Sequence, residues 1–227
     1  MTTVPELAGR AVAAPLGAVA HWRRGKPMHP RGTVVTGVLD RAGGLGTGVE
    51  WLDRPARDRV TVRLSRGVGL PEPWPDLLGL AVRAPGAAGP VDLLLSSTGR
   101  GPLTRLLPTF RTDAGRPFSS IMGYRSPAGT LRFAAWTAGG ARPVPSDPRP
   151  LLATLRDRPV EYAVAVARGL GAWRRFATLT IGEPVEETDP DLRFDAVRHP
   201  PPQLVADGPM ARFRAPAYAR AQRERVS

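Results

Sequence analysis

Cysteine is absent from the 227 residues, which excludes disulfides, thiolate metal sites and cysteine nucleophiles. That composition fits a reducing compartment. Histidine is scarce: His21, His29 and His199 stand far apart, and there is no Gly-x-Ser-x-Gly. A hydrolase built on clustered metal ligands or an activated serine therefore lacks its parts. Long apolar runs are missing too. Val164-Ala165-Val166-Ala167 is among the longest, far short of a membrane span. Met1-Thr2-Thr3-Val4-Pro5 shows no basic region leading into an apolar one, so the expectation is a soluble, cytoplasmic protein with no membrane partner. Lysine is nearly missing as well. Lys26 stands alone, so the net charge of +12 is carried almost wholly by arginine.

A basic chain invites a nucleic-acid reading, because guanidinia neutralise phosphates. Here the arginines are scattered among acids, with the densest group at Arg212, Arg214, Arg220, Arg223 and Arg225. Nucleic acid is not the expected partner. A chain of this length buries about 70% or more of its unfolded surface and needs no covalent staples. A single domain over residues 1–227 is expected.

Periodicity predicts an N-terminal helix and loop over 1–25, then strands. Thr33-Val34-Val35-Thr36-Gly37-Val38-Leu39 is rich in β-branched residues, and Val60-Thr61-Val62-Arg63-Leu64-Ser65 alternates apolar and polar. Further strands are expected at 78–83, 91–96, 131–136 and 176–181, and helices at 103–107, 148–158 and 211–225. Residues 162–168 suit either. The glycine-rich segment from Gly43 to Gly48 lacks the lysine and the setting of a phosphate loop and reads as a turn. Many strands separated by turn signals argue for a closed antiparallel sheet with a few helices. Five prolines between Pro184 and Pro202 mark an extended arm on the surface.

Several short motifs lie in one order. His29-Pro30-Arg31-Gly32 leads into a strand. Val62-Arg63-Leu64-Ser65, Asp76-Leu77-Leu78-Gly79-Leu80-Ala81-Val82 and Val91-Asp92-Leu93-Leu94 follow. Met122-Gly123-Tyr124-Arg125-Ser126, Phe194-Asp195 and the span from Arg214 to Tyr218 complete the set. Taken together they resemble the haem catalase superfamily over most of the chain. The resemblance implies an α+β fold: a catalase-like closed antiparallel β-barrel over 26–182 with a few peripheral helices. An extended C-terminal arm, 183–227, would end in the helix on the proximal side of the haem.

The resemblance also implies a site. Haem b is the implied cofactor, its ferric iron ligated by Tyr218 as a tyrosinate, with His29 as the distal acid–base. A phenol ionises near pH 10 unaided. Arg214, four residues earlier, would share a helix face with Tyr218 and stabilise the phenolate. Arg225, seven residues on, and Arg63 match residues that pair haem propionates, while Lys26 stands where the family carries an arginine and would pair a propionate only as a point charge. His29, with an ordinary pKa of about 6.5, would shuttle a proton between peroxide oxygens, and Ser65 would fix its tautomer. His199 is expected to be structural.

The chain departs from the family in places. Where catalases carry a second distal polar group, an asparagine, this chain has Ser96-Ser97-Thr98, and Ser97 is taken as the replacement. A hydroxyl reaches less far than an amide. Pro216 is compatible with a helix only if Arg214 and Ala215 lie near its start. The implied activity is that of a peroxide-using oxidoreductase, peroxidase- or catalase-like, with a small organic co-substrate. A monomer or homodimer is expected, because the chain lacks most of the arms that join catalase tetramers. The alternative is a haem-free catalase-fold binding or interaction protein.

Overall fold

Strands of alternating burial dominate the regular structure in a computed structural model that describes residues 31–138, 142–185 and 192–207. β1 (Arg31–Arg41), β2 (Ala56–Arg66), β3 (Asp76–Ala84) and β4 (Val91–Ser97) follow one another as an antiparallel meander. β5 (Phe110–Arg111) pairs the start of β3, and β6 (Phe118–Ser119) pairs the end of β4. β7 (Gly123–Ser126) turns tightly into β8 (Gly129–Thr137). β9 (Val160–Arg168) and β10 (Arg174–Pro184) complete the circuit, because β10 pairs β1 while β9 pairs β8. The eight strands β1, β2, β3, β4, β6, β8, β9 and β10 thus close on themselves. Closure leaves no free edge in the ring. β11 (Val205–Asp207) pairs β7.

The inner face follows from the alternation. Val60, Val62 and Leu64 on β2, Leu78, Leu80 and Val82 on β3, and Leu93 and Leu95 on β4 are at most 5% exposed and form one cluster with Phe133, Tyr162, Val164 and Leu179. Residues 160–168, ambiguous by pattern, are a strand, with Tyr162, Val164 and Val166 buried inward. Helix α1 (Glu50–Asp53) carries Trp51 into the barrel, edge-on to Phe133 at 6.3 Å and tilted against Phe176 at 5.7 Å. Helix α2 (Pro148–Asp157) occupies the expected 148–158 and buries Leu151 and Leu155, while the stretch at 103–107 is a single 3-10 turn, Thr104–Leu106.

The glycine-rich turn is a loop, as expected, with Gly43, Gly44, Gly46 and Gly48 all at positive φ. Its centre is held by the Asp53 carboxylate, which accepts from Thr47 N–H, Thr47 Oγ1 and Gly48 N–H. Burial opposes ionisation of Asp53, but these hydrogen bonds prevail and hold its pKa below the usual carboxylate value.

Two buried acids tie loops to the barrel. Asp76 accepts the N–H groups of Val68, Gly69, Leu70 and Leu77, and Arg66 spans the same loop to Leu70 O, Trp74 O and Ser146 Oγ. Asp92 receives Arg83 in a bidentate pair at 2.8 and 2.7 Å, the Asp195 N–H at 2.7 Å and His199 Nδ1 at 3.3 Å. The Asp92 N–H in turn donates to His199 O. Residues 193–199 therefore lie against the outer side of β3 and β4, and His199 serves as a clamp there.

Candidate functional site

Side chains of opposite parity to the core point outward, and in two rows across β1 to β4 most of them are small. Register aligns Gly32, Ser65, Gly79 and Ser96 in one row across four strands. The next row holds Val34, Arg63, Ala81 and Leu94. Four strands span roughly 14 Å, and successive rows lie about 7 Å apart. The result is a platform of mostly small side chains on the outer wall of the ring, with Arg63 reaching over Gly32. Arg63 is half-buried, and burial, reinforced by Arg193, pulls its pKa below the ordinary arginine value.

Gly32 belongs here for steric reasons. A Cβ at that position would stand 2.9 Å from Leu64 O, 3.0 Å from Ser65 Cβ and 3.1 Å from the Arg63 guanidinium carbon. Ser65 is 7% exposed and its hydroxyl donates to Gly79 O at a long 3.5 Å. Ser96 is half-buried, and among the described residues nothing takes up its hydroxyl.

Such a ring of strands has counterparts among solved structures. A fungal catalase superposes with a TM-score of 0.67 at 14% identity, over 92% of this chain and 62% of its own. A bacterial catalase gives 0.66 at 13% identity, over 95% of this chain and 61% of its own. The fold is that of the catalases. The chain spans less than two thirds of the length of either. No family model matches its sequence, and no curated protein does.

Within this catalase fold the structure brings Ser65 and Arg63 onto one face in adjacent rows. It does not bring Ser97 there. Ser97 shares the parity of Leu93 and Leu95, is 1% exposed, accepts from the Leu78 N–H at 3.0 Å and donates to Thr109 O at 2.6 Å. Its hydroxyl is consumed in joining β3, β4 and the following loop. The neighbouring Ser96, not Ser97, lies in the outward row. The signal was present in the sequence: Val91, Leu93 and Leu95 already put Ser97 on the apolar side. Sequence reasoning also missed Arg193, which is close enough to Arg63 to act on its charge. His29, Lys26, Arg214, Tyr218 and Arg225 lie outside the described residues. Among the described residues no helix is long and apolar enough to cross a membrane, and no group of three or more His, Asp or Glu could hold a metal.

Proposed function

We propose that the platform is the distal wall of a haem site and that the protein is a peroxide-using oxidoreductase with an organic co-substrate. The observation that carries this reading is the outer face of mostly small residues with a partly buried Arg63 on it, on a catalase fold. A planar macrocycle needs a surface without protruding side chains, and Gly79 and Ala81 on β3 offer one. A guanidinium suits a propionate, because its planar fork matches a carboxylate with two parallel hydrogen bonds.

When bound, haem would supply a ferric iron at which the O–O bond of a peroxide can break heterolytically. The chain's own residues would do the rest. Tyr218 would be the iron ligand, and Arg214 would hold its phenol oxygen deprotonated. Arg63, Arg225 and Lys26 would pair the propionates. His29 would take the proton from one peroxide oxygen and return it to the other, with Ser65 fixing the ring's tautomer. Ser96 would offer the second polar hydrogen over the platform. A serine hydroxyl reaches less far than an amide, which favours an organic reductant over rapid dismutation of two peroxides.

The test is an absorption spectrum of the full chain expressed with a haem precursor, wild type beside Tyr218→Phe. A stoichiometric ferric haem band that shifts or disappears in the variant is expected. A colourless wild type that also refuses added hemin would leave a haem-free protein of catalase fold that binds other partners.

A further inference from the structure

The platform does not stop at the serine row. Phe110 pairs with Leu77, two residues before Gly79, so its ring shares the outer face. Thr98 follows Ser96 in the same alternation. Both line an open pocket of about 510 Å³ whose wall also carries Arg100, Arg111 and Arg116. That volume lies in the range of small-molecule sites.

Charge in the pocket is unbalanced. Asp113 is the one carboxylate against three guanidinia on its lining. It pairs Arg116 at 3.3 Å but also accepts the Gly115 and Val144 N–H groups, so its charge is shared with backbone. Arg111 donates to two neutral carbonyls, Pro117 O and Thr98 O. Arg100 lies over the Trp136 ring at 4.1 Å. The apolar side is also open. The Phe110 side chain is 50% exposed, and Trp74, next to the lining residue Pro75, is 64% exposed. Guanidinia match a carboxylate's geometry, and an exposed ring offers a stacking surface for an aromatic body.

We infer that this pocket binds an aromatic carboxylate and that, on the haem reading above, it seats the organic co-substrate beside the platform. A phenolic carboxylate held there would be the reductant. Two phenols would each give up one hydrogen atom, and one hydrogen peroxide would become two waters.

Binding is tested without any haem reaction, by calorimetry on the full-length protein with para-hydroxybenzoate, para-hydroxybenzamide and inorganic phosphate as probes. The carboxylate should bind at least about tenfold more tightly than the neutral amide, and phosphate should bind more weakly than the carboxylate. Arg111→Gln should erase the preference for carboxylate over amide. Arg116→Gln should reduce it with no change in thermal midpoint, because Arg116 is 71% exposed. Phe110→Ala should weaken both aromatic probes together. Equal affinity for acid and amide, or phosphate bound as tightly as the carboxylate, would overturn the assignment. Selective binding by a protein that takes up no haem would keep the pocket and end the oxidoreductase reading. A haem protein indifferent to the carboxylate would do the reverse.

Discussion

Ser96 and Ser97 are chemically identical neighbours with opposite surroundings. Ser97 Oγ satisfies the buried Leu78 N–H and donates to the part-buried Thr109 O. Removing it would strand those two groups, at a cost of about 1–3 kcal/mol for a buried unsatisfied partner. Ser97→Ala should therefore lower the urea midpoint while leaving haem uptake per folded molecule unchanged. Ser96→Ala should leave the urea midpoint where it is and slow the peroxide reaction of the haem-loaded protein. An inverted result, with stability tracking Ser96, would mean that the strand parity assigned to β4 is wrong. The same residue-scale logic explains Gly32, where the backbone of β1 approaches Ser65 and Arg63 too closely for any Cβ.

At the scale of elements, the C-terminal arm depends on one carboxylate. Asp92, fully buried on β4, joins Arg83 on β3 to Asp195 and His199 on the arm. Arg83 also stacks under the Phe194 ring at 5.1 Å, so one guanidinium bridges sheet and arm. A buried acid that loses its charge leaves the cation beside it uncompensated, which is strongly destabilising. Asp92→Asn keeps the size but removes the charge. It should release residues 192–207 first, seen as faster amide exchange there than in β9 and β10. Uniform exchange across all strands would show that the arm has no separate stability. Beyond the clamp lies β11, whose pairing with β7 adds backbone hydrogen bonds that the sequence pattern did not suggest.

The whole molecule is held by ring closure. β8 is the strand that completes it, pairing β6 and β7 on one side and β9 on the other. Phe133, on β8, touches Trp51, Tyr124 and Phe176 and is fully buried, so helix α1, β7, β8 and β10 meet on one ring. Truncating a buried Phe to Ala costs about 3–5 kcal/mol. Phe133→Ala should show that loss as a single cooperative shift of the denaturant curve with an unchanged slope. A changed slope would indicate that the barrel had come apart in stages. A platform assembled from four separate strands exists only while the ring is intact.

Much of the barrel was legible in the chain. The β-branched and alternating segments at β1, β2, β3, β4, β8 and β10 announce themselves, because a half-buried strand must alternate to keep one face in the core. β9 was not decided locally: Val160–Arg168 carries alanine outward, and only its pairing with β8 and β10 makes it a strand. That Arg63 and Ser65 share one face was legible too, because Val60 to Ser65 alternates apolar and polar residues. Which serine faces the platform, which arginine neighbours Arg63, and the placing of Phe110 beside the serine row were decided by tertiary structure. Cross-strand register sets those neighbours, and it joins residues far apart in the chain through hydrogen bonds that no single segment specifies.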